Sequence, residues 1–97
     1  MADIRLSACI EMLFTELPFI DRIEAAAAAG LPAVEFWGWR NKDLDAISEK
    51  LEQFDLTLAA FTTDCGGDLC DPEATRQWVE DAAESIEAAT RLGARGL

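Results

Sequence analysis

Apolar side chains alternate with other residues near the start of the chain. Between residues 4 and 14 the apolar set is Ile4, Leu6, Ala8 and Ile10, and the intervening set is Arg5, Ser7, Cys9 and Glu11. A period of two predicts a β-strand with one buried face. Two later runs, 31–39 and 56–64, are short, apolar and followed by turn-forming or capping residues, so they predict a second and a third strand.

Between these strands the spacing of apolar residues changes to three or four, which predicts helices. The first helix follows Pro18, contains a run of alanines and stops at Gly30, a residue suited to a helix C-terminus. Asp43 is placed to cap the second helix. The apolar face of that helix consists of Leu44, Ile47, Leu51 and Phe54.

The third predicted helix begins with an N-cap and first-turn pair, Asp71 and Pro72, and ends at Gly93. Its buried side is expected to carry Trp78, Val79, Ala82, Ile86, Ala89 and Leu92. The resulting order, β-α-β-α-β-α, predicts an α/β fold with parallel strands joined by right-handed crossovers.

Two architectures repeat this unit, the open doubly wound sheet and the (β/α)8 barrel. A nucleotide-binding open sheet would carry a glycine-rich loop after its first strand, and EMLFTELP contains no glycine. In a barrel, Val34 and Phe36 would face the helices, whereas Glu35 and Trp37 would face the interior. A buried carboxylate needs a partner, and strand parity makes Arg5 one candidate for Glu35.

Composition narrows the classes of partner. The 97 residues allow one domain with one core, and 51% of them are apolar. A net charge of −11, from 19 acidic and 8 basic residues, disfavours binding to nucleic acid. Neither a signal peptide nor a membrane-spanning run is evident, so we expect a cytoplasmic protein without a membrane partner. With three cysteines and no histidine, we expect no metal bound by this segment.

Three segments resemble a known family: MLFTELPFIDRI (12–23), AGLPAVEFWGW (29–39) and the third strand, in which Leu56 and Thr57 lead into AAFTT. With them, the chain resembles the N-terminal part of hydroxypyruvate isomerase-like proteins, which lie in the xylose isomerase-like barrel superfamily. The resemblance is strongest over residues 4–64 and continues through the third helix.

The resemblance implies a (β/α)8 TIM barrel of about 250 residues. Residues 1–97 would be its first three β/α units, a single partial domain that is inactive alone. The implied activity is an isomerisation in carbohydrate metabolism, between hydroxypyruvate and tartronate semialdehyde or a related small hydroxy-carbonyl pair. The family's proton-transferring glutamates and its divalent metal belong to later strands, so we expect no catalytic residue here.

In such a barrel, function lies at the C-terminal ends of the strands. The expected substrate-binding residues are Glu11, Phe14, Trp37, Trp39, Arg40, Thr62, Thr63 and Asp64. Trp37 could wall the pocket or simply pack in the core. Arg40 could hold a substrate carboxylate or pair with Asp43 at the surface. Cys9-Ile10-Glu11-Met12 and Thr62-Thr63 depart from the family pattern near this mouth, which leaves the exact substrate open.

The sequence leaves other interpretations open. A non-catalytic αβ module could complete its sheet with a partner or as a homo-oligomer, since three parallel strands leave two open edges. A sugar epimerase or a relative of the abasic-site endonucleases would share the barrel. The endonuclease interpretation is disfavoured because its zinc cluster depends on histidine, which this chain lacks.

Overall fold

Strands and helices alternate along the whole chain, whose structure is a computed structural model that describes residues 3–66 and 69–97. The elements are β1 (Ser7–Cys9), α1 (Asp21–Ala28), β2 (Ala33–Phe36), α2 (Leu44–Gln53), β3 (Thr57–Phe61) and α3 (Ala74–Leu92). The strands form one parallel sheet in the order β1-β2-β3. The α/β class and the three consecutive parallel β/α units are therefore confirmed. None of the helices in the described ranges is both long enough and apolar enough to cross a bilayer.

The sheet buries one face against the helices. Val34 and Phe36 are buried on that side, as the alternation in β2 predicts, while Glu35 between them is only half-buried. Phe36 is the centre of the core: its ring meets Phe19 edge-on at 5.6 Å and stacks on Phe61 at 5.2 Å. Aromatic pairs in these geometries contribute beyond their buried area.

An irregularity in the β2–β3 pairing sets the direction of two core residues. Val34 pairs with Leu58, but the next residue, Glu35, pairs with Ala60, so β3 contains one extra residue. This β-bulge shifts the pleat of β3 by one position. Leu58 and Phe61 are three residues apart and would face opposite sides of a regular strand, yet both are buried.

The first strand is much shorter than predicted. Pairing with β2 begins at Ser7 and ends at Cys9, and the amide groups of Met12 and Leu13 both donate to the Cys9 carbonyl in a tight turn. Ala8 and Ile10 are buried as expected, but Ile4 and Leu6 are exposed, so the predicted burial of that pair is wrong. Alternation specifies which side a residue faces, and burial also needs an element packed over that side.

The suggested pairing of Arg5 with Glu35 is also wrong. The Arg5 guanidinium lies 3.9 Å from Asp3 instead, and both side chains are exposed. Exposed ion pairs of this kind add little stability. Glu35 keeps its place on the sheet face opposite the helices, where it lines a shallow pocket with Trp37 and Thr62.

The helix ends follow the predicted signals with small shifts. The first helix begins at Asp21 rather than at Pro18, because the Pro18 carbonyl accepts the Asp21 amide in a preceding turn (3.0 Å). Gly30 follows its end with a φ of 82°, the left-handed conformation that favours glycine. Asp43 caps α2 as predicted, accepting the Ala46 amide at 3.1 Å.

The third helix departs furthest from its prediction. It begins at Ala74, because Asp71 closes the preceding turn by accepting the Glu73 amide at 3.0 Å. Its buried residues are Ser85, Ala88 and Leu92. The predicted stripe is wrong at Val79 and Ile86, each of which is 57% exposed.

Candidate functional site

The C-terminal ends of the three strands come together in a cluster of backbone and side-chain hydrogen bonds, which we call the mouth. Glu11 follows β1, Trp37 and Gly38 follow β2, and Thr62 follows β3. The Trp37 amide donates to Glu11 Oε1 (3.3 Å), and the Gly38 amide donates to Thr62 Oγ1 (2.8 Å). The exit of the central strand is thus tied to both neighbouring strands.

A tight turn at residues 37–40 makes these contacts possible. Gly38 adopts a φ of 57°, and a Cβ at this position would lie 3.3 Å from Asp64 Oδ2. That same oxygen accepts the amides of Trp39 (3.3 Å) and Arg40 (3.1 Å). A carboxylate that accepts several amide groups fixes a turn firmly, so Asp64 anchors the loop after β2 to the exit of β3.

Trp39 is directed at α3. Its indole Nε1–H donates to Ser85 Oγ (2.9 Å), and the Ser85 hydroxyl donates in turn to the Asp81 carbonyl (2.8 Å). Its ring packs against the core cluster and lines a groove with Leu44 and Ala88, between α2 and α3. In this position Trp39 holds the third helix against the sheet, and a contact between Trp39 and substrate stays a prediction.

Arg40 is also committed to the third helix. Its guanidinium pairs with Glu84 (2.7 Å) and Asp81 (3.2 Å) and lies 4.5 Å from the centroid of the Trp39 ring. The Glu84 hydrogen bond raises the pKa of Arg40 above its ordinary value. The suggested surface pairing with Asp43 is wrong, because the Asp43 carboxylate caps α2.

The pKa of Asp81 is held below its ordinary value of 3.8, first by the Gln77 amide and then by the Gly66 backbone N–H. A carboxylate with a lowered folded-state pKa stabilises the fold above the ordinary value and loses that contribution as the pH falls through the folded-state value. We therefore expect urea unfolding to show a steeper loss of stability from about pH 4 to pH 2 in the unaltered chain than in Asp81→Asn. The exposed neighbour Glu80→Gln is the control and should follow the unaltered chain. Coincident curves for Asp81→Asn and the unaltered chain would contradict this assignment.

Lys42 is the residue of the mouth that the sequence prediction missed. Its side chain is only 9% exposed, and its ammonium lies 2.8 Å from Glu11 Oε1. It also donates to the carbonyls of Trp37 (2.5 Å) and Gly38 (3.0 Å). The sequence signal for it was slight: a rare lysine a few residues beyond an aromatic strand end.

The other predicted residues differ in how far they are exposed near the mouth. Trp37 is 52% exposed, Thr62 is exposed, and Thr63 is half-buried. Phe14 lies in the turn that follows β1. Its side chain is half-buried against the core, and its φ is 60°. The structure thus brings Glu11, Trp37, Thr62 and Asp64 together through the turn at 37–40, while substrate contact by any of the eight predicted residues stays a prediction.

Potential metal ligands do not cluster among the residues that the structure describes. Within residues 3–66 and 69–97, no three histidine, cysteine, aspartate or glutamate side chains lie close enough to share an ion. At the mouth, Glu11 is paired with Lys42, and Asp64 accepts two backbone amides. Neither carboxylate is part of a ligand set in this arrangement.

Three parallel β/α units whose strand ends form one mouth define a part of a (β/α)8 barrel. A solved structure agrees with this class: the AP endonuclease, family 2, from Brucella melitensis superposes on 94% of this chain and 38% of its own, with a TM-score of 0.87 and 28% identity. No family model matches the chain.

Curated proteins with similar sequences are named as isomerases. The 2-oxo-tetronate isomerase of Pectobacterium atrosepticum is 34% identical over 89 residues, which cover 88% of this chain and 34% of the relative. A Streptomyces coelicolor protein, whose name assigns it provisionally as a hydroxypyruvate isomerase, is 39% identical over 67 residues, covering 62% of this chain and 24% of the relative. The chain is therefore related to the hydroxypyruvate isomerase-like proteins of the xylose isomerase-like superfamily, as the sequence motifs predicted. It spans about a third or less of the length of these relatives.

Proposed function

We propose that this chain supplies three β/α units and one wall of the mouth to a barrel that isomerises a small hydroxy-carbonyl acid, such as hydroxypyruvate or 2-oxo-tetronate. The observation that carries the proposal is the 34% identity to a 2-oxo-tetronate isomerase over 88% of this chain. The mouth supports it, because the residues gathered there lie where barrel enzymes bind their substrates. On this proposal the 97 residues form one partial domain and act in the cytoplasm.

The chemical role of this part is to bind and shield rather than to transfer protons. The half-exposed Trp37 ring offers an apolar wall that would exclude water from an enediol-like intermediate. Glu11 and Thr62 present oxygen atoms beside that ring through their contacts with the turn. The proton-transferring groups of the proposed reaction would come from units outside this chain.

The likeness to an AP endonuclease structure raises a second candidate, cleavage at abasic sites in DNA. Two properties of this chain favour the isomerase instead. Its net charge of −11 opposes the approach of a phosphate backbone, and it contains no histidine to serve as a zinc ligand.

A segment exchange tests the proposed function. The segment of the P. atrosepticum 2-oxo-tetronate isomerase that matches this chain over 89 residues is replaced by this chain's sequence. We expect the exchanged enzyme to turn over 2-oxo-tetronate or hydroxypyruvate, whereas the isolated 97-residue chain should turn over neither. The parent isomerase, prepared alongside, is the control for the assay.

Two other results would each contradict the proposal. One is an exchanged enzyme that folds like its parent, measured by circular dichroism and cooperative unfolding, but isomerises neither acid. The other is an isolated chain that assembles into a discrete oligomer, which would instead indicate a non-catalytic module. An abasic-site duplex, included in the same assays, should remain uncut.

A further inference from the structure

The ammonium group of Lys42 is nearly closed off from water. Its side chain is 9% exposed, and its Nζ lies 4.9 Å from the centroid of the Phe19 ring and 5.2 Å from that of Phe36. Ring faces attract a cation but offer no hydrogen-bond acceptor of the strength of an oxygen. A charge removed from water in this way must therefore be satisfied by neighbouring oxygens.

Those oxygens all belong to the mouth. The ammonium donates to the carbonyls of Trp37 (2.5 Å) and Gly38 (3.0 Å) and to Glu11 Oε1 (2.8 Å), with Asn41 Oδ1 further away at 3.4 Å. An ammonium has three protons, and the three shorter contacts account for them. No proton of Lys42 is left for a substrate, so this lysine acts through the groups that it holds.

Glu11 differs from the two backbone carbonyl groups in having a second oxygen atom. Its Oε1 accepts from both Lys42 and the Trp37 amide, whereas Oε2 forms no hydrogen bond or ion pair with the described residues. The Glu11 side chain is 20% exposed, so small molecules can reach it. An ionised carboxylate is an acceptor only, which suits the hydroxyl group of a ligand.

We propose that Lys42 is a positioning residue of the mouth: it fixes the Glu11 carboxylate with one oxygen turned to the backbone and the other available to accept a hydrogen bond from a substrate hydroxyl group. The substrate part of this inference rests on the proposed function, and the pairing does not.

The pair also addresses a problem of charge. The chain carries a net charge of −11, and an uncompensated carboxylate at the mouth would repel an anionic hydroxy acid. With the ammonium of Lys42 at 2.8 Å, the two charges largely cancel at the distance of a substrate. The Glu11 carboxylate can then accept a hydrogen bond from the hydroxyl group of an anionic acid without repelling that acid.

The pairing is tested by competitive acetylation of the 97-residue chain, followed by mass spectrometry. The chain contains two lysines, Lys42 and Lys50, and Lys50 serves as the internal control. Because acylation requires the amine to leave a charged hydrogen bond, we expect Lys42 to react about tenfold or more slowly than Lys50. Glu11→Gln should raise the rate at Lys42 and leave that at Lys50 unchanged.

The substrate role is tested in the exchanged isomerase by steady-state kinetics. Losing one hydrogen bond to a charged group should raise KM by about tenfold in Lys42→Met and in Glu11→Gln, with little change in kcat. The double variant should be no worse than either single variant, because the two residues act as one unit. Lys50→Met is the matched control and should keep the parental KM.

Each outcome decides one part of the inference. Equal acetylation of the two lysines, or no effect of Glu11→Gln on Lys42, overturns the pairing. A parental KM in Glu11→Gln, which keeps the shape of the side chain and so the fold, overturns the substrate role even if Lys42→Met does not fold. An inactive exchanged enzyme would contradict the proposed function and, with it, the proposed hydrogen bond to a substrate hydroxyl group. The acetylation experiment would still decide whether Lys42 holds Glu11.

Discussion

Replacing Phe36 by alanine is expected to lower the free energy of unfolding of the 97-residue chain by about 3–5 kcal/mol, the cost typical of deleting a buried phenylalanine. The ring is fully buried and contacts Phe19 and Phe61 at the same time, so its removal leaves a cavity between β2, β3 and the turn that precedes α1. Since native proteins are stable by only about 5–15 kcal/mol, a loss of this size is a large share of the free energy of unfolding. Urea unfolding followed by circular dichroism measures the change.

Val79→Ala is the matched control for this experiment. Val79 is also a large apolar residue, but it lies on α3 with 57% of its surface exposed, and surface changes of this kind stay within about 0.5 kcal/mol. Equal losses of stability in Phe36→Ala and Val79→Ala would contradict the assigned core.

The second large effect is expected for Trp39→Ala, with a loss of about 3–5 kcal/mol. This substitution removes a ring that packs against the core, the cation–π partner of Arg40, and the donor to the buried Ser85 hydroxyl. The effect should be concentrated at α3, because Trp39 and Arg40 together fasten that helix to the sheet. Hydrogen exchange of the α3 amides measures it directly.

Trp39→Phe separates packing from hydrogen bonding. It keeps an aromatic ring but loses the indole N–H, so we expect a smaller loss of about 1 kcal/mol, the usual net value of one hydrogen bond. If Trp39→Ala leaves the exchange of the α3 amides unchanged, Trp39 does not anchor the helix. The predicted role of Trp39 in contact with substrate at the mouth would then be the better assignment.

The fold was predictable because its signals are local. Alternation in β2 correctly assigned Val34 and Phe36 to the helical side, and Gly30, Asp43 and Gly93 marked helix ends that the structure confirms. The extent of the first strand was not predictable in this way. Whether Ile4 and Leu6 are buried depends on which element packs over them, and a local pattern carries no information on that contact.

The candidate site was predictable only in outline. The rule that strand ends form the mouth of a barrel correctly drew Glu11, Trp37 and Thr62 together. Lys42 and Ser85 were missed because lysine and serine are mostly exposed, and each is tolerated inside only through specific partners. Those partners lie 31 and 46 residues away, respectively, in Glu11 and Trp39, so no local pattern indicates them.

We propose that these three β/α units form a working part of an isomerase barrel. The measurement that tests it most directly is kcat/KM for 2-oxo-tetronate and hydroxypyruvate in the exchanged P. atrosepticum enzyme. We expect saturable turnover of at least one of the two acids, with kcat/KM lowered in Glu11→Gln and unchanged in Lys50→Met. A well-folded exchanged enzyme without turnover of either acid would contradict it.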